Sequence, residues 1–188
     1  MQYIKKNKII MKTKISTIYL LMAFALLTFT GCSKDGMPGP AGLDGQNAAV
    51  YYSEWFSPTV WSGTSGDWYF SAAAPDLTKS VVESGVVLAY VWLAGDIYSS
   101  TTVRPLPAYA IGANWSFLVH QYGAIEFTSD MINQPLITHK FRFIAIPGTS
   151  IALKTAMLKY NTTAELKNMP YKEACTLFNV SDQQPIVK

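Results

Sequence analysis

Val86-Val-Leu-Ala-Tyr-Val-Trp-Leu93 is a near-continuous apolar run, bounded by Gly85 and Gly95. It is short, rich in Val and aromatic residues, and closed by glycine at both ends, which predicts a strand buried on both faces. Working outward, Thr101-Thr-Val-Arg-Pro-Leu-Pro107 is extended, and its prolines confine it to a sheet edge or a strand end. Phe141-Arg-Phe-Ile-Ala-Ile146 alternates only at its start and stops at the turn pair Pro147-Gly148. Ala49 to Phe56 reads as a first strand. Asp67 to Ala72 reads as a second, after the turn-rich Ser62-Gly-Thr-Ser-Gly66. Asn114 to Tyr122 and Ala124 to Ser129, separated by Gly123, read as one bent strand or two paired ones.

Helical signals are few. Asp76 to Gly85 reads as a short helix with an Asp cap at the start and a glycine stop. Met169 to Phe178 reads as a second, with Pro170 in its first turn. The period of Ile151 to Tyr160 fits strand or helix. Seven or eight short strands with turn signals favour a mainly β fold, a single β-sandwich over residues 48–188 with one or two short helices. The regular alternation of strands with long helices that marks a parallel sheet is absent.

Composition narrows the function. Of 188 residues, 49% are hydrophobic and only 14% charged, which excludes a wholly disordered chain. The net charge of +3 conceals an asymmetry: five lysines and no acid lie in residues 1–31, and ten basic against twelve acidic residues follow. No basic stripe remains for nucleic acid.

Residues 15–30, ISTIYLLMAFALLTFT, carry no charge and follow directly on the lysines. This is the basic-then-apolar grammar of a secretory signal, and it is shorter than the roughly 20 apolar residues of a spanning helix. Met11 offers a second start with its own basic region. The run ends in Phe29-Thr-Gly-Cys32, which resembles the lipobox of bacterial lipoproteins, with Phe29 where Leu or Val is usual. The resemblance implies removal of residues 1–31 and acylation of Cys32, and hence attachment to a membrane through lipid. An uncleaved anchor, or an ordinary signal followed by an unrelated cysteine, are the alternatives. Two or more acyl chains anchor a protein stably without a spanning helix. Cys175 is then an odd thiol, read as a small core hydrophobe.

After Cys32-Ser-Lys-Asp35 come Gly36-Met-Pro, Gly39-Pro-Ala, Gly42-Leu-Asp and Gly45-Gln-Asn, four collagen-type triplets. Residues 32–47 read as a semi-extended flexible stalk that could reach some 45 Å at about 3.1 Å per residue. Association of three chains through the triplets is the alternative. These features resemble lipoproteins of Bacteroidota-type bacteria that carry a short collagen-like repeat after the lipidated cysteine, followed by a β domain. Val86 to Val91, Arg104 to Tyr109 and Phe141 to Gly148 are similar to that domain. The resemblance implies no catalytic residue. Ser33 directly after Cys32, by resemblance to other lipoproteins, implies sorting to the outer membrane, facing the periplasm or the cell surface.

No chemistry-bearing motif stands out. His120 and His139 are the only histidines and lack ligand spacing, so no metal or cofactor is expected. Glu54, Asp67, Glu126 and Asp130 could pair for glycoside hydrolysis only if the fold brought two of them together across a cleft. Nucleophile-elbow and phosphate-loop patterns are absent. Trp55, Trp61, Trp68, Trp92 and Trp115 join eleven tyrosines. Exposed rings on a β-sandwich would suit a glycan or an envelope protein, and Trp61, beside the Ser62–Gly66 loop, is the one expected to be exposed. The expectation is a non-enzymatic binding or structural module of the envelope, with an envelope glycan hydrolase as the alternative.

Overall fold

The computed structural model describes residues 49–97, 102–182 and 185. The chain falls into two units, Met1–Gly42 and Leu43–Lys188, and the described residues belong to the second. The signal, Cys32 and the Gly-x-y stalk lie outside the described residues.

The described residues form nine strands and four helices. The strands are β1 (Tyr51–Tyr52), β2 (Ser62–Thr64), β3 (Asp67–Ala73), β4 (Val86–Trp92), β5 (Arg104–Pro105), β6 (Ala108–Ala110), β7 (Ala113–Leu118), β8 (Ala124–Ser129) and β9 (Lys140–Ile146). The helices are α1 (Lys79–Ser84), α2 (Ile151–Lys159), α3 (Thr163–Lys167) and α4 (Tyr171–Phe178). One sheet has the order β1-β9-β4-β5 and the other β2-β3-β8-β7-β6. Every pairing is antiparallel. The fold is a single β-sandwich domain, with α2, α3 and α4 as a third layer on the outer face of the four-stranded sheet.

That third layer explains the continuous apolar run. Side chains alternate across a strand, so Val87, Ala89 and Val91 of β4 point between the sheets, toward Phe70, Trp115, Ile125 and Phe127. Val86, Leu88 and Tyr90 point the other way, under Leu166, Met169 and Ala174 of the helical layer. All seven residues of β4 are buried, as are six of the seven in β9. The five-stranded sheet keeps its outer face open, and β8 alternates partly exposed with buried positions accordingly.

The core between the sheets is aromatic. Phe127 and Phe141 have ring centroids 4.7 Å apart, and Phe70 lies 4.9 Å from Phe141 and 5.3 Å from Phe127. Such contacts add about 0.5–1.5 kcal/mol per pair beyond simple burial. Trp61, expected at the surface, is 3% exposed and packs 4.8 Å from Phe70. Its indole N–H donates to the Leu136 carbonyl at 3.4 Å, and Gln134 donates to the Trp61 carbonyl at 3.2 Å. The 130–139 loop thus encloses a ring that local sequence placed beside a turn.

Other expectations need smaller corrections. The first strand shrinks to Tyr51–Tyr52 plus one bridge at Phe56. Ser62–Thr64 is not loop but β2, hairpin partner of β3. Asn114 to Ser129 resolves into two paired strands, β7 and β8. The edge position of β5 matches its prolines. Helix α1 starts two residues late, because the Thr78 hydroxyl, not Asp76, accepts from Val81 N–H. Gly85 ends it, as expected, but for reasons of space. A Cβ there would lie 2.3 Å from the Ile146 carbonyl oxygen, and one on Gly148 would lie 2.0 Å from that of Ser84.

The described residues form four helices where one or two were expected. Ile151–Lys159 is helical, begun by the Ser150 hydroxyl, which accepts from Leu153 N–H at 3.1 Å. Helix α3 is an addition to the expected elements. Its start signal is Thr162 followed three residues later by Glu165. The Thr162 hydroxyl accepts from Glu165 N–H at 3.1 Å, and the Glu165 carboxylate accepts from Asn161 N–H at 2.9 Å, a near relative of the capping box.

Candidate binding cleft

Each side of the sandwich is closed by two short edge strands joined by a chain that crosses between the sheets. On one side β1 leads through residues 53–61 to β2. On the other β5 leads through Leu106-Pro107 to β6. The edge strands are shorter than the strands they cover, so part of each side stays open.

On the β5/β6 side, β5 pairs with β4 only at Tyr90 and Val91, and β6 pairs with β7 only from Ala113 to Trp115. The start of β4 and the end of β7 are left uncovered. A cleft of about 300 Å³ opens between them. Its walls are Val82 and Gly85 of α1 and its end, Val86 and Val87 of β4, and Phe117 and Leu118 of β7. Val119 and the crossing Pro107 complete the apolar lining, Ser116 supplies a hydroxyl, and Lys167 of α3 is its one charged residue. Lys167 is exposed and makes no ion pair among the described residues.

A second cleft, of about 360 Å³, lies on the other side, where β2 stops short of the end of β3. Ser57, Pro58 and Thr59 face Tyr69 and Ser71 across it, and no charged residue lines it.

Neither cleft contains a histidine or a carboxylate. Glu126 accepts from the Ser71 hydroxyl at 3.2 Å on the open outer face of the five-stranded sheet. Asp130 is held below the usual carboxylate range by hydrogen bonds from the Asn114 amide side chain and backbone, each 2.6 Å. Glu54 is exposed, and Asp67 lies at the β2–β3 hairpin. His120 is exposed just beyond β7. His139 is fully buried, with its ring 4.9 Å from that of Trp115. Its Nδ1 accepts from Ala94 N–H at 3.0 Å, while Nε2 makes no hydrogen bond. Burial depresses its pKa to about 4. Among the described residues no three His, Cys, Asp or Glu side chains cluster as metal ligands. No described helix is long and apolar enough to cross a membrane.

The tryptophans offer no platform of the kind imagined from composition: Trp61, Trp92 and Trp115 are buried, and Trp55 and Trp68 are partly so. The exposed rings are tyrosines, Tyr109 and Tyr122 most of all. Cys175 lies on the buried face of α4, where desolvation pushes its thiol up, as befits a small core hydrophobe.

One polar cluster is buried outside both clefts, and nothing in the sequence reading pointed to it. Arg142, on the helix-covered face of β9, is fully buried. Its Nε donates to the Ser53 carbonyl at 2.7 Å, and its Nη1 donates to the Tyr171 hydroxyl and, at 2.8 Å, to the Ser181 carbonyl. The rings of Tyr52 and Tyr171 lie 5.1 and 5.7 Å from the guanidinium carbon. The arginine thereby ties together the segments through which the chain enters and leaves the domain.

Comparison with protein-family models, with curated proteins and with solved structures finds no match.

Proposed function

We propose that this chain is a lipid-anchored protein of the bacterial envelope whose β domain binds a ligand at the β5/β6-side cleft without transforming it. The observation that carries the binding half is the character of that cleft. It is concave and largely apolar with a single charge, the make-up of a recognition surface. Ionisable groups converging with opposed proton affinities, as acid–base chemistry requires, do not line it. The anchoring half rests on Phe29-Thr-Gly-Cys32 and the basic and apolar segments before it.

Two measurements test the halves separately. Cys32→Ala should abolish incorporation of labelled palmitate and move the protein out of the membrane fraction. Palmitate labelling that survives the substitution, or no labelling of the native chain, overturns the anchor. For the cleft, a photoreactive phenylalanine analogue at Leu118 should give a discrete adduct in growing cells. The same probe at Leu158, exposed on α2 away from the cleft, should give none. Equal labelling at the two positions removes the cleft as the binding surface.

A further inference from the structure

Resting on that reading of the cleft, we propose that its ligand is an extended polypeptide strand, added to the edge of β4 where β5 breaks off, with an acidic group of the strand meeting Lys167.

The argument starts from the backbone. Leu106 N–H donates to the Ala89 carbonyl at 2.8 Å, so the main-chain groups of Ala89 face the β5 side. In an antiparallel ladder both main-chain polar groups of a residue point to the same side, and they alternate along the strand. Val87 therefore presents its N–H and C=O on the same side as Ala89. There the chain has already left: after Leu106 it crosses through Pro107 to β6. The edge of β4 thus remains open at Val87, on the wall of the cleft.

The facing wall repeats the pattern. Asn114 lends its carbonyl to Asp130 N–H, on the β8 side. Odd-numbered residues of β7 therefore face β6, and Phe117 lies beyond the last residue that β6 pairs, Trp115. The uncovered edges of both sheets line one opening.

Such a wall selects its occupant. An acyl chain would fill the apolar volume but could not satisfy a main-chain donor and acceptor. A sugar could hydrogen-bond but would leave Val82, Val119 and Pro107 in contact with hydroxyls. A strand does both: its backbone continues the ladder, and its alternate side chains enter the apolar lining. Burying unpaired main-chain groups under any other ligand is costly. Lys167, exposed and without an ion pair among the described residues, supplies the charge preference. A cation beside an otherwise uncharged strand site favours an acidic side chain or a terminal carboxylate.

The test uses the full chain in detergent, isotope-labelled for NMR, and three synthetic probes, with a Lys-for-Asp version of the better binder as a charge control. The first two are blocked hexapeptides of alternating Val and Thr with one Asp at the start or the end. The third is the better binder of these with its main-chain nitrogens methylated on the edge that would face β4. Expected are at least tenfold slower hydrogen exchange of the Val87 amide with an unmodified peptide, and loss of that protection with the methylated one. Lys167→Glu should weaken the Asp peptide about threefold and not a peptide bearing Lys in its place. Perturbed methyl signals of Val82 and Leu118 without protection of Val87 overturn strand addition while leaving the cleft a binding surface. No perturbation of the cleft by any peptide at millimolar concentration overturns strand addition too. Combined with equal photolabelling at Leu118 and Leu158, it removes the cleft altogether.

Discussion

On one face of the four-stranded sheet, Phe141 meets the rings of Phe70 and Phe127, and Phe143 lies in the same apolar core. On the other face of the same strand, Arg142 is equally buried, wrapped by Tyr52, Tyr171 and the carbonyls of Ser53 and Ser181. Adjacent residues of β9 have thus been taken out of water by different chemistry. Between the sheets the gain is apolar area and ring geometry, which is non-directional and strong per residue. Under the helices the cation must recover its hydration through specific hydrogen bonds. A buried cation network contributes less net stability than its contacts suggest, and the role expected of this one is to fix the position of its partners. Here those partners are the entering segment at Ser53 and the departing one at Ser181.

The comparison can be broken by substitution and chemical denaturation. Phe127→Ala should cost about 4 kcal/mol, because it removes a ring at the centre of the aromatic cluster and leaves a cavity. Arg142→Ala should cost about 3 kcal/mol, since it strands the carbonyls of Ser53 and Ser181 and opens a space. Arg142→Met, which restores bulk, separates the two ideas. Stability at or above that of the native chain, together with faster amide exchange around Ser53 and Ser181, is the expected signature of a positional clamp. A loss as large as that of Arg142→Ala would mean that the hydrogen bonds themselves carry the energy.

His139 is the exception on the dry side, and it gives the smallest effect. Its folded pKa of about 4 lies below the ordinary value of 6.5. The unfolded chain therefore takes up a proton first as pH falls. Stability contributed by the neutral ring is complete above about pH 6.5, declines through the interval to about pH 4, and is gone below it. Between pH 7.5 and pH 5 the loss should be about 2 kcal/mol. His139→Asn retains an acceptor for Ala94 N–H and should flatten that dependence. The carboxylates of Asp130 and Glu173 are held below their ordinary values by their hydrogen bonds, so what they contribute is lost only as pH falls past those ordinary values. An unchanged slope in the variant would show that another group controls the acid response.

How much of this could be read beforehand depended on the distance over which each feature is determined. The burial of β4 on both faces was legible from its own run of residues, and the edge position of β5 from its prolines. Helix α3 was legible too, through Thr162 and Glu165, but a five-residue helix offers too little apolar period to draw attention. Trp61 was not legible. Its neighbours in sequence are a turn, and its cover comes from Gln134 and Leu136, more than seventy residues away. Arg142 looked like the polar position of an alternating strand, and became buried because helices that follow β9 fold back over it.

Composition and short-range pattern by themselves determined the β class and the buried central strand, and they are also what the proposed lipid anchor rests on. Hydrophobic runs, prolines and turn residues act within a few positions, so a linear reading captures them. Which edges stay open was settled only in three dimensions. That depends on where β5 and β6 stop pairing relative to strands in two different sheets, and a single chain of letters carries no register between segments that meet only after folding.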